Sequence, residues 1–350
     1  MRGITQKDLA DELDVTPAAV SQYESGAHAP SAEVIERLVV ALRCLPDFFF
    51  RPLAVDDELP AFFRSLRRAP KREQDRARSF AVLLGEAAEL LDQDVELPTV
   101  DIPRMPVDAE AGDEEIERAA RHLRAAWDVE SGPIAHVVRL LEAHGVLVVA
   151  VGEFDSRLDA FSLWVSSRPV VVLCSDKGVP KRRRFDAAHE LGHLVLHQRA
   201  RAGDKLAEQQ AHRFAAALLM PAEEIAPWLP RRANQVEVVR QASEVWGVSM
   251  QALLYRARTL GTLSDAGFTR AMRRMSALGW RTDEPVEAGP EESPSVLGAA
   301  VEALRAGGGS TQRLAAQLGV PHGRLCRMFA VPEERNREPA GRLLRLPVAT

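Results

Sequence analysis

His189, Glu190 and His193 sit in the phrase FDAAHELGHLVLH, with the two imidazoles four residues apart. On a helix, positions i and i+4 lie on one face, so both rings can reach one metal ion. Glu190 is turned about 100° from His189, which sets its carboxylate beside a metal-bound water. This His-Glu-x-x-His spacing is the arrangement of zinc hydrolases. Zinc lowers the pKa of its water to about 7, and a glutamate base removes the proton during attack on a carbonyl. Leu191, Leu194 and Val195 give the helix an apolar side that would bury it. The bland alternative is a chance pattern on an Ala-rich helix. Three strand-like runs just upstream argue against it, because a small zinc-protease sheet would lie there.

A catalytic zinc needs a third protein ligand and an open position. The long form of the motif would place glycine at 196 and histidine at 199, where this chain has Leu196 and Arg199. His197 repeats the four-residue step but lies one turn, about 5.4 Å, along the axis. It reads as a neighbour of the site or a surface residue. Glu208 is the better candidate. It opens EQQAHRFAAALLMP, whose apolar face of Ala211, Phe214, Ala215, Leu218 and Leu219 can pack beside the first helix. A glutamate aimed at zinc stays ionised. The bland reading of Glu208 is a favourable contact with a helix dipole. For stabilising an oxyanion beyond the metal itself, Tyr255 and His212 are the available candidates.

The elements that would position these residues follow from periodicity. VLVVAV (146–151), FSLWV (161–165) and PVVVLC (169–174) are apolar runs of strand length. Helices are predicted over 112–127, 133–144, 181–198, 205–220, 235–246, 249–260 and 264–278. Upstream, 60–93 is a long charged helical pattern, and 94–108, with Pro98, Pro103 and Pro106, reads as a linker. A second linker is expected at 283–295, then a small helical tail to about residue 330 and a frayed end. At the other end, 5–13, 16–23 and a segment opened by Ser31 read as short capped helices. The expected fold is mainly α with an α+β middle: an N-terminal helix–turn–helix, a small-sheet zincin-like domain and a helical C-terminal region. The expected domains are 1–55, a basic helix and linker at 56–108, 109–262, and 263–350.

Composition narrows the classes. With 350 residues, 46% hydrophobic and 27% charged, the chain is globular and large enough for several domains. A net charge of −5 excludes a strongly basic nucleic-acid coat, although not a local basic patch. Cys44, Cys174 and Cys326 form no Cys-x-x-Cys pair, so neither a disulfide framework nor a thiolate zinc site is indicated. The N-terminal phrase has no apolar core of a secretory signal, and the apolar runs are too short to span a bilayer. A cytoplasmic protein with no membrane partner is expected.

RFDAAHELGHLVLH followed by ExxAxxFAAALLMP resembles the ImmA/IrrE metallopeptidase family, loosely over 133–260. The resemblance implies that His189, His193 and Glu208 bind Zn2+ and that Glu190 is the catalytic base. The family usually carries Asn or Asp where this chain has His212. Four residues beyond Glu208, His212 faces the same way. It would either orient a zinc-bound histidine or compete as a ligand.

TQKDLADELDVTPAAVSQYESG has helix–turn–helix grammar and resembles the Cro/repressor-like (XRE) family over residues 4–45. The second helix of such a unit enters the major groove by its N-terminal part. The residues expected at DNA are Thr16, Ala18, Ala19, Ser21 and Gln22, with Gln6 at the phosphate backbone. The family's first helix ordinarily precedes the TQ phrase. Only four residues do so here, so either the chain starts further upstream or the unit is incomplete. Residues 1–50 hold four cations (Arg2, Lys7, Arg37, Arg43) against eight acids, which leaves little for phosphate neutralisation. The bland reading is a protein-interaction unit. Arg64, Arg67, Arg68, Lys71, Arg72, Arg76 and Arg78 form a basic stretch that would either follow a DNA backbone or be a solvated face. Two later phrases echo the same grammar, SEVWGVSMQALLYRA (243–257) and LAAQLGVPHGRL (314–325). The first reads as helix packing and the second as a degenerate repeat.

The combined expectation is a DNA-binding transcriptional regulator carrying a zinc metalloendopeptidase domain. The resemblance implies a repressor-type protein as substrate, and the fused module raises self-cleavage. The partners expected are a DNA operator, such a repressor and a second copy in a homodimer. The alternative is a non-proteolytic regulator whose metallopeptidase-like domain is a sensor or scaffold. A further rival is a housekeeping protease with a protein-binding N-terminal unit.

Overall fold

A computed structural model describes residues 3–51, 70–152, 154, 160–174, 180–197, 204–286 and 291–333. Among them are fifteen α-helices and one three-stranded sheet, as the sequence predicts for a mainly helical chain with an α+β middle.

The N-terminal unit is α1 (Gln6–Leu13), α2 (Pro17–Glu24) and α3 (Ala32–Leu42). Each start is set by a side chain. Thr5 and Asp8 form a reciprocal capping box, Thr16 accepts from the Ala19 amide with Pro17 behind it, and Ser31 accepts from the Val34 amide. Asp14, in the left-handed region at φ 54°, ends α1 and turns the chain. Ala10, Leu13, Val20, Val34, Leu38 and Ala41 form the small core of this unit.

The sheet is β1 (Leu147–Val151), β2 (Ala160–Val165) and β3 (Arg168–Cys174), in the order β1-β3-β2. β1 runs parallel to β3 and β2 antiparallel to it. Both faces are covered, which is why the strands read as continuous apolar runs rather than alternating ones. One face packs on α6 (Val137–Ala143) and α7 (Pro180–Leu196), and α5 (Asp113–Ala126), α8 (Lys205–Leu219), α10 (Val236–Trp246), α11 (Met250–Thr259) and α12 (Asp265–Ala277), with the short α9 (Ala222–Ile225), complete the same core. The other face packs on α4 (Lys71–Leu91) and on α13 (Val296–Ala306), α14 (Thr311–Gln317) and α15 (His322–Met328).

Three segments behave differently from their sequence impression. The charged pattern of α4 carries Ala77, Ala81, Leu84 and Ala88 at helical spacing, and these bury it against the sheet. Arg76 is held by Glu73 at 3.3 Å and lies over the Phe154 ring; Arg64, Arg67 and Arg68 lie outside the described residues. The Pro-rich stretch 94–108 is tied down rather than free. Met105 and Val107 donate to the carbonyls of Val195 and Leu196, which the end of α7 would otherwise leave unpaired. Trp127 Nε1 donates to the Asp101 carbonyl at 2.7 Å. Before α13, Glu292 is buried at 1% exposure and accepts the Val137 and Val138 amides at the start of α6. Glu142, at the end of α6, returns the contact to the Ser295 and Val296 amides at the start of α13.

The two echoes of the helix–turn–helix phrase separate clearly. The phrase at 243–257 forms α10 and α11, whose Trp246, Leu253 and Leu254 lie in the main core. The phrase at 314–325 forms α14 and α15 with the turn of the N-terminal unit. Val15 donates to the Ala10 carbonyl at 3.1 Å and Val320 to the Ala315 carbonyl at 3.0 Å. The left-handed turn residues are Asp14 and Gly319, and the caps are Thr5 and Ser310. That second turn is a socket. The Leu45 amide donates to the Gly319 carbonyl at 2.8 Å, and a β-carbon at position 319 would overlap the Phe48 backbone. Nearby, Arg51 pairs with Glu86 of α4 at 2.5 Å and lies over the Phe48 ring.

Candidate functional site

Gly192 is the point where α7 and α8 meet. A β-carbon there would stand 3.2 Å from the Ala211 Cα, tighter than ordinary contact, so glycine eases the close approach of the two backbones. This contact brings the first turn of α8 over the rings on α7. His189 Nε2 and His193 Nε2 are 3.2 Å apart, with Glu208 Oε2 3.3 Å from the first and Glu208 Oε1 3.6 Å from the second. Tetrahedral donors at about 2.05 Å from a metal are about 3.3 Å from one another, so the three groups fit a single ion. Among the described residues, these three form the cluster that could hold a metal.

The protonation states suit the same task. Burial drives the His193 imidazole down to about 3, so it is neutral with a lone pair to give. Burial pushes the Glu208 carboxyl up, but the adjoining His189 and His193 rings outweigh this and leave it at about 2, ionised. A neutral imidazole and a carboxylate are the forms that bind metal.

His193 is oriented by a chain of partners. Gln210 donates from Nε2 to the carbonyls of Asp108 and Ala109, at 2.7 and 3.2 Å, which leaves its Oε1 to accept from His197 Nε2 at 3.0 Å. Burial holds His197 neutral, so its Nδ1 accepts from His193 Nδ1, 3.0 Å away. The lone pair of His193 Nε2 then points at the other donors. His197 is therefore the buried neighbour of the site rather than a surface residue. Gln210→Ala should weaken metal affinity about 10- to 100-fold with the fold intact, read by competition with a fluorescent chelator.

Glu190 is buried beside the pair, and Ser162 Oγ donates to its Oε2 at 2.7 Å. Ser162 comes from β2, one of the two edge strands among the described residues. The sequence does not mark it as a site residue, although a serine breaking the apolar run FSLWV is a usable signal. His212 is not among the converging donors. It is exposed, with its ring 4.9 Å from Phe185 and 6.4 Å from the His189 ring. Tyr255, 47% exposed, packs on Phe268. Arg199 lies outside the described residues.

In the N-terminal unit, Gln6, Thr16, Ala18, Ser21 and Gln22 are exposed and Ala19 is half-buried. Two of these have other partners: Gln6 Nε2 donates to Glu24 at 2.5 Å, and Thr16 Oγ1 caps α2. Asp8, Asp11, Glu12, Asp14 and Glu24 are exposed around them, so folding does not bury the acidic excess.

Residues 141–258 match the family described as the IrrE N-terminal-like domain, a peptidase family. Residues 1–49 match the helix-turn-helix family. The chain thus joins a helix-turn-helix unit of the DNA-binding kind to a domain of a metallopeptidase family. No curated protein sequence matches it. No described helix is long and apolar enough to cross a membrane.

Proposed function

We propose that this chain is a cytoplasmic transcriptional regulator in which a zinc-dependent endopeptidase cleaves a repressor-type protein. The observation that carries the reading is the convergence of His189, His193 and Glu208 with Glu190 buried beside them, against the edge strand β2. A zinc ion held by those three would supply Lewis acidity and a water of near-neutral pKa, about 7. Glu190 takes the proton from the attacking water and delivers it to the leaving amine. Ser162 holds one oxygen of that carboxylate and so fixes its orientation. Among the described strands β2 lies at an edge of the sheet, the position at which an extended peptide adds as a further strand. The N-terminal unit presents Thr16, Ala18, Ala19, Ser21 and Gln22 to an operator, with Gln6 near phosphate, and a homodimer would match a two-fold operator.

The seating of Phe48 on Gly319 favours a second reading, in which metal occupancy is sensed and passed to the DNA-binding unit without cleavage. The zinc-loaded chain, mixed with a repressor encoded in a neighbouring gene, should give discrete fragments by mass spectrometry and shift operator DNA. A chelator should abolish the fragments. An intact repressor, with metal-dependent operator binding, supports the sensor instead.

A further inference from the structure

α12 buries Gly267, Ala271 and Met275 and turns its opposite side to solvent. That side carries Arg270, Arg273 and Arg274, all exposed. Among the described residues, none of the three is paired with a carboxylate. No position three or four residues from any of them holds an acid, and the Asp265 carboxylate at the start of the helix is taken by Arg258 at 2.6 Å. Cations on other helices are matched: Arg240 lies between Glu237 and Glu244 on α10, and Lys71 pairs with Asp75 on α4 at 3.1 Å. Like charges three and four residues apart destabilise a helix. The helix dipole offsets this for Arg274 in the last turn, but not for Arg270. An anion laid along the face would relieve the repulsion. Guanidiniums present planar forks that match phosphate oxygens in pairs, and Arg270 and Arg274 stand about 6 Å apart along the axis.

The polyanion that the rest of the chain points to is duplex DNA, since residues 1–49 match the helix-turn-helix family. That unit nevertheless has four cations against eight acids over residues 1–50, so it neutralises few phosphates. α12 lies beyond residues 141–258, which match the peptidase family. It also belongs to the core on one face of the sheet, whereas the N-terminal unit is seated through Phe48 on Gly319 against helices of the other face. The arginine face is thus a surface separate from α2.

We propose that the outer face of α12 is a second DNA contact, which holds the phosphate backbone without reading its sequence. It depends neither on cleavage nor on operator recognition by α2. The full chain is titrated by fluorescence anisotropy against a labelled duplex of scrambled sequence, between about 50 and 200 mM salt. The triple variant Arg270→Gln, Arg273→Gln, Arg274→Gln should bind at least about tenfold more weakly at the lower salt, and the slope of log affinity against log salt should fall by about 2 to 3. The corresponding triple lysine variant keeps the charges and should retain most of the slope. The three side chains are exposed, so the Tm of each variant should stay within about 2 °C of the wild type. A glutamine variant that binds the duplex as the wild type does overturns the proposal, as does a lysine variant as weak as the glutamine one. A wild-type chain that does not bind scrambled duplex at low salt overturns it too, and operator recognition by α2 then stands or falls separately, on the operator shift.

Discussion

Glu190→Gln should bind zinc as the wild type does and lose cleavage by about 10²- to 10⁴-fold, the usual contribution of a positioned general base. The substitution keeps the size of the side chain and an oxygen able to accept from Ser162 Oγ, so packing around the buried residue is preserved. What it removes is a group able to take a proton from water. Glu190 is not one of the three donors that converge on the metal position, so metal content should stay at one per chain. Cleavage is read on a fixed amount of repressor over time, with metal measured on the same sample. Unchanged cleavage would show that the proton passes through another residue. Loss of metal together with cleavage would mean that the glutamine disturbs the ligand set.

The largest expected loss of stability comes from Glu292→Ala. The Arg184–Glu292 pair, 2.8 Å apart, is almost fully buried, with side-chain exposures of 6% and 2%. Removing the carboxylate strands a guanidinium that retains only the Ile134 and Ala135 carbonyls, and it uncaps the Val137 and Val138 amides. Breaking a buried pair in this way costs about 3–5 kcal/mol, which lowers the apparent Tm by about 6–20 °C. The double variant Arg184→Met, Glu292→Leu should recover part of that loss, since an apolar pair leaves no uncompensated charge. Differential scanning calorimetry of the three variants reads it. A shift below about 2 °C for the single variant would place Glu292 outside the stabilising contacts of the fold.

The parts of the site that follow from local helical geometry were readable in advance. The four-residue spacing of His189 and His193 places both rings on one face in any helix, and Thr5, Thr16 and Ser31 mark helix starts through contacts within three residues. Glu208 followed from the apolar face of its own helix, but the closeness of its approach depends on how near α8 can lie to Gly192. What escaped depends on packing alone. Ser162 meets Glu190 across 28 residues, and Gln210 meets the backbone of Asp108 across 102. Periodicity identifies faces, but it does not say which distant face will oppose them. For the same reason α4 read as a charged helix, although its small residues bury it against the sheet. The acidic N-terminal unit remains acidic when folded, so operator binding through it must draw on few cations and should weaken only shallowly with salt.

The seat of Phe48 on the second helix–turn–helix bears on the idea of self-cleavage. A cut anywhere between Arg51 and Pro70 would sever the chain without separating its parts. The N-terminal fragment would still be held by Leu45 and Phe48 on Gly319 and by Arg51 on Glu86. A nicked molecule would therefore run as one species on a sizing column and as two on a denaturing gel. Release of the DNA-binding fragment would require the socket itself to open.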